Sequence, residues 1–140
     1  MAQARAGSDT AGKFSWQNQN VLVSTAPCAL LWPAAMIVWG PGFAASKHRH
    51  HCVQLVMSLQ GKLRVRSGPG RKWISCGAAV IRPDALHEID ATGFTLLIAF
   101  VDVESELGAA LLQTITSEIT VVQEATVSFW RRCLGDHQSL

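Results

Sequence analysis

Between Val21 and Val101 the apolar residues come in short runs separated by glycine, proline and polar turns. Leu30-Leu31-Trp32 and Met36-Ile37-Val38-Trp39 flank Pro33, and Gly40-Pro41-Gly42 reads as a turn. Further strand-length runs are Val53 to Leu59, Leu63-Arg64-Val65-Arg66, Trp73-Ile74-Ser75, Ala78 to Ile81, His87-Glu88-Ile89 and Phe94 to Val101. Many short strands at close spacing, bounded by turn residues, predict an antiparallel sandwich or barrel. Within the 53–59 run the odd positions Val53, Leu55, Met57 and Leu59 are all apolar, whereas Cys52, Gln54, Val56 and Ser58 form a more polar even face. Successive side chains on a strand point to opposite faces. The even face is therefore expected to wall a pocket, and the odd face to lie under helices or a partner chain.

The pattern changes after Asp102. Glu104 and Glu106 open a stretch with Leu107, Leu111 and Ile115 at helical spacing, and acidic residues suit a helix N-terminus. A second helix is predicted from about Gln123 to Leu134, ending at Gly135 with Arg131 and Arg132 in its last turn. Residues 1–15 have no periodicity and are expected to be a disordered tail. The chain thus divides into a tail over 1–15, a β-barrel over 16–102, and C-terminal helices over 103–140 packed on the barrel or on a partner. The apolar stretch 21–40 is long enough to span a bilayer. Pro27, Pro33, Ser24 and Thr25 interrupt it, and two buried strands explain it better than a membrane span.

The chain's 140 residues suffice for one domain with a substantial core. With 49% hydrophobic and 16% charged residues, most of it should be folded. The net charge is only +2 and the basic residues are scattered, which argues against a nucleic-acid surface. Cys28, Cys52, Cys76 and Cys133 lie far apart with no CxxC pair, and the N-terminus lacks a secretory pattern. Reduced thiols in a cytoplasmic protein are expected.

The candidate chemistry is concentrated at Lys47-His48-Arg49-His50-His51-Cys52, which holds three of the five histidines. Neutral imidazole is the commonest protein ligand for transition metals. His48 and His50 are two apart, so on an extended strand they share a face with Cα atoms about 6–7 Å apart. His51 should face the other way, exposed or paired, and His137 should be solvated. Cys52 is either a soft ligand or a small buried side chain. Trp32, Trp39 and Trp73 can each stack on a ligand or fill the core, and Trp39 is the one placed in the expected pocket.

The region resembles the first cupin motif: glycine, five residues, His-x-His, three or four residues, glutamate, six residues, glycine. Here the series is Gly42, five residues, His48-Arg49-His50, three residues, Gln54, six residues, Gly61, with glutamine in place of glutamate. The second motif, Gly-x5-Pro-x-Gly-x2-His, is matched by Gly77, five residues, then Pro83-Asp84-Ala85-Leu86-His87. Its glycine becomes Ala85 and its histidine comes one residue early. Over most of residues 28–135 the chain is similar to the N-terminal cupin-like sensor domain of AraC-type transcriptional regulators. The quoted segments are His-Arg-His-His, Val-Ile-Arg-Pro-Asp-Ala-Leu-His and Phe-Val-Asp-Val-Glu-Ser, followed by the two predicted helices.

The resemblance implies a mostly β, jelly-roll-like cupin barrel with two C-terminal helices. It implies that His87 joins His48 and His50, with Gln54 as a fourth, neutral ligand, around one divalent ion. Zn, Fe, Ni and Cu all suit such a set. On a straight strand Gln54 would lie about 13 Å beyond His50, so the chain must bend at His51-Cys52. The alternative is that the same residues, with Trp39, line an effector pocket without metal. Asp84 and Glu88 flank His87; either would orient the imidazole or simply lie exposed.

Three functions are consistent with these residues. One is a sensor-like cupin domain that binds a small-molecule effector and forms a homodimer through its C-terminal helices. Its implied DNA-binding half would begin where the chain stops at Leu140, so direct nucleic-acid binding is not expected. The alternative is a small metal-dependent cupin enzyme, of oxygenase or isomerase type, using the three histidines. Against it stands the lack of an obvious general acid or base. A third is a truncated regulator that pairs with a full-length relative.

Overall fold

The structure, a computed structural model, describes residues 28–136. The expected tail over 1–15, the apolar run at 21–23 and His137 lie outside the described residues. Ten strands and two helices follow in chain order: β1 (Cys28–Leu31), β2 (Ala35–Pro41), β3 (Ala44–His48), β4 (Val53–Ser58), β5 (Leu63–Arg66), β6 (Ile74–Cys76), β7 (Ala78–Ile81), β8 (His87–Asp90), β9 (Thr95–Val101), α1 (Glu106–Thr114), β10 (Ile119–Val121) and α2 (Glu124–Asp136).

From β2 onward the strands pair first with last. β2 lies against β9, β3 against β8, β4 against β7 and β5 against β6, all antiparallel. The lateral pairs β4–β9 and β5–β8 then assemble two sheets, ordered β1-β2-β9-β4-β7-β10 and β3-β8-β5-β6. This is a long hairpin rolled up on itself, the double-sheet jelly roll that cupins share. The predicted mostly β, cupin-type fold with two C-terminal helices is the fold observed. No ladder joins the two sheets among the described residues, so the barrel is open at its seams.

The core lies between the sheets. Val56, Ala79, Ile81, Leu96 and Ile98 from the larger one meet Leu63, Val65, Cys76 and Ile89 from the smaller. The other face of the large sheet carries a second apolar layer. Met57, Leu59, Ala78 and Leu97 pack with Val127 of α2, and Val53 and Val101 pack with Ile115 just beyond α1. The odd positions of β4 therefore lie under the helices and Val56 lies inside, as its alternation predicts. Because β9 is covered on both faces, it reads as an almost unbroken apolar run, while β5 alternates buried Leu63 and Val65 with Arg64 and Arg66 on its outer side. A fully buried aliphatic side chain contributes about 1.5–3 kcal/mol, whereas an exposed ion pair contributes about 0–1 kcal/mol. The docking of α2 thus rests chiefly on apolar contact through Val127, which is fully buried; the Arg131–Glu124 pair at 3.6 Å lies within the helix itself.

Several elements differ from expectation. β2 runs through Pro41, so only Gly42 and Phe43 separate it from β3. β10 lies between the two helices and pairs with β7, adding a strand where only helices were expected. α2 passes through Gly135 to Asp136, and Arg131 does not serve its C-terminus. Its guanidinium donates to the carbonyl of Ser58 through Nε (3.1 Å) and Nη2 (2.9 Å), and to that of Gly61 (2.6 Å). No helix among the described residues is long and apolar enough to cross a membrane.

Candidate metal centre

β3 belongs to the small sheet and β4 to the large one, so residues 49–52 are the segment that crosses between them. The bend required at His51-Cys52 is there: both residues sit in a bend of the backbone, and β4 begins at Val53. His48 ends β3 directly opposite His87, the first residue of β8, with a register shift between Ala45 and His48. His50 follows on the crossing itself. Two strand ends and one crossing thereby bring three imidazoles to one place. Their ring centroids are 4.9 Å apart for His48–His50, 4.2 Å for His48–His87 and 5.8 Å for His50–His87. One ligand nitrogen from each ring lies within 4.8 Å of the others.

The tautomers can be read from the hydrogen bonds. His87 Nδ1 donates to the carbonyl of Ala85 at 2.9 Å, and His48 Nδ1 donates to the carbonyl of Ser46. A carbonyl only accepts, so in each neutral ring Nε2 keeps its lone pair. His87 Nε2 is buried with no hydrogen-bond partner. Burial, and then the neighbouring His48, lower the pKa of His50; burial also lowers that of His87, outweighing the bond to Ala85, which raises it, and His48 and His50 lower it further. Both effects favour the neutral, metal-binding form.

Gln54 is 2% exposed and its Oε1 also lacks a partner. It pairs across the ladder with Phe100, which shares its face of the sheet, and the Phe100 ring lies 5.1 Å from that of His50. The large sheet thus turns a neutral oxygen donor toward the histidine end of the interior. A buried amide oxygen and a buried imidazole nitrogen without partners are each costly unless something binds them. Three neutral imidazoles with an amide oxygen suit a divalent transition metal, so these residues fit the ion that the sequence motif implies.

Trp39 is not brought to this place. Its ladder partners are Leu97 and Cys28, and it packs with Met57 and Leu59 on the helix-covered face. Cys52 is half-buried and outside the histidine group, its thiol pushed up by burial and by Asp84. His51 is exposed and its Nδ1 meets the carboxylate of Asp84 at 2.9 Å. Glu88 pairs with Arg66, so neither acid orients His87; the Ala85 carbonyl does. Trp32 is exposed, and Trp73 lies under the guanidinium groups of Arg64 and Arg66, at 5.1 and 4.5 Å.

One residue the motif hid is Asp84. Its φ is +61°, the left-handed region, in a turn closed by a 3.2 Å bond from Ala85 N to the Arg82 carbonyl. Pro83 precedes it, as in a type II turn. The position where the motif calls for glycine is therefore Asp84, three positions before His87 with two residues between, and the missing residue lies between it and Pro83. Asp84 N donates to the carbonyl of His50 at 2.8 Å. Together with its carboxylate on His51, this fastens the crossing to the turn that leads into β8. The flanking glycines are structural: a Cβ on Gly42 would stand 1.9 Å from the Ala91 carbonyl oxygen, and Gly61, at φ +69°, packs on the Phe94 ring. Both ends of the first motif thus rest on the same turn between β8 and β9.

No protein-family model matches the chain, and no curated protein is similar to it. Solved structures similar to it include cupin superfamily proteins. One, from Desulfitobacterium hafniense, is 17% identical over 55% of this chain and 76% of its own, with a TM-score of 0.45. A cupin 2 conserved barrel domain protein from Salinispora arenicola is 14% identical over 82% of this chain and 99% of its own, with a TM-score of 0.42. KdgF from Halomonas sp. is 22% identical over 51% and 73%, with a TM-score of 0.42.

Proposed function

We propose that this chain is a metal-binding cupin domain that takes a small molecule at its three-histidine centre and acts as a ligand-binding, sensor-like module of the AraC type. The observation that carries the reading is the convergence of His48, His50 and His87 within 4.8 Å, with His87 Nε2 buried and without a partner. His48 and His87 hold their lone pairs inward through bonds to backbone carbonyls, and Gln54 is the fourth donor. A bound divalent ion would supply a Lewis acid and open positions for a ligand. Binding is favoured over catalysis because the acids flanking His87 are committed elsewhere: Asp84 to His51, Glu88 to Arg66. The homodimer belongs to the same proposal: Phe129 on α2 is 55% exposed and gives that helix an apolar outer residue for a second copy.

Metal content of the untagged protein tests the reading. The parent chain should hold about one divalent ion per chain, and His50→Ala and His87→Ala should each lose it while keeping the parent's circular dichroism. A parent protein without metal after incubation with Zn, Fe, Ni and Cu would sink it. Turnover of any substrate by the loaded protein, lost in both variants, would favour the enzyme reading instead.

A further inference from the structure

The histidine centre is built without negative charge. Its donors are three imidazoles and the amide of Gln54, and no carboxylate or thiol among the described residues belongs to the group. A divalent ion held there would keep both its positive charges. Gln54 and His87 are 2% and 1% exposed, so water screens that charge poorly from their side. An uncompensated buried charge is unfavourable, and an anion in the open positions is the simplest way to offset it.

The centre opens on the side of His48 and His50, which are half-buried, whereas the layer behind it is filled by Val56, Leu63, Val65, Ile81, Ile89 and Ile98, each 6% exposed or less. An anion therefore meets the ion from that open side.

We propose, building on the metal-centre reading, that the loaded centre selects a small organic monoanion with its carboxylate at the histidines. We further propose that Gln54, by being neutral, sets this preference. Glutamate at position 54 would supply the missing charge from within, tighten the metal and repel the anion.

Cobalt(II) is the probe, because its visible absorption reports both metal binding and the ligands around the ion. The loaded protein is titrated with benzoate and, separately, with its neutral isostere benzamide. Benzoate should change the spectrum saturably, and benzamide at the same concentrations should not. Gln54→Glu should weaken benzoate at least about tenfold and tighten cobalt by a similar factor. Equal responses to benzoate and benzamide would overturn the proposal, as would a benzoate affinity unchanged in Gln54→Glu. If that variant does not fold, the benzoate–benzamide contrast in the parent protein still decides. Failure to bind cobalt at all would instead overturn the metal-centre reading on which this rests.

Discussion

The two sheets of this jelly roll are built for different work. The large sheet is covered on both faces, by the shared core on one side and by the helical segment on the other. Among the described residues, the small sheet is covered on one face only. Its outer side carries Arg64, Arg66, Glu88 and Asp90 in cross-strand pairs, with Trp73 under the two guanidinium groups. Among the described residues, every group whose protonation is displaced lies on the small sheet or on the crossing beside it: His50, Cys52, Cys76, His87 and Asp90. The doubly buried sheet supplies cohesion, and the singly buried one supplies titratable groups with room to meet a ligand.

The sharpest separation comes from Met57, which is 2% exposed on the helix-covered face. Met57→Ala should cost about 2–5 kcal/mol in urea unfolding, the usual range for truncating a core methionine. Metal affinity should stay within about threefold, since distant sites behave independently. A tenfold change would mean that the two sheets are not energetically separate.

Asp84 tests the other side. Asp84→Ala places a Cβ-bearing residue without a polar side chain in the left-handed region, costing about 1–2 kcal/mol. It also loses the contact to His51, and metal binding should weaken. Asp84→Gly should recover the backbone part but not the contact, so its stability should exceed that of the alanine variant while its metal affinity stays reduced. Equal affinities in the parent, alanine and glycine proteins would remove Asp84 from the site.

The metal-free protein should respond to pH through His50 and His87. Both are lowered below the ordinary 6.5, so the unfolded chain binds protons first as pH falls. Their contribution to stability is complete above 6.5 and declines below it. Thermal unfolding between pH 8 and 5 should show a decline that is shallower in a His50→Gln, His87→Gln double variant. An unaltered slope in that variant would place the pH response elsewhere.

The smallest effect belongs to the outer ladder. Asp90 is held down to about 2, chiefly by its hydrogen bond to Arg64, so its stabilising share is present above 3.8 and lost as pH falls through about 2. At neutral pH Arg64→Ala should cost no more than about 1 kcal/mol, because Arg64 is half exposed. A loss comparable to that of Met57→Ala would erase the contrast between the sheets.

Much of this was legible in the sequence because burial writes itself into period. Alternation marks the bounds of β5 and a compact apolar run those of β7, and the distance from His50 to Gln54 requires the bend that the crossing provides. β3 was not distinguished, since Ala44-Ala45-Ser46-Lys47 has weak strand preference and is held by its pairing with β8. β10 is three residues long and exists through β7 alone. A hydrophobic run does not say which face is which, so the sequence alone puts Trp39 in the pocket; the ladder with Leu97 turns it to the other face. Arg131 and Arg132 looked like helix-end charges, but the sequence could not reveal that Arg131 would reach the carbonyls of Ser58 and Gly61.

That reach has a mechanical consequence. β4 is a short rigid rod with Gln54 near one end and Ser58 at the other, about 13 Å apart along the strand. Arg131 grips the far end from α2. The far end of the strand that carries Gln54 is therefore tied down by a side chain about seventy residues away in sequence.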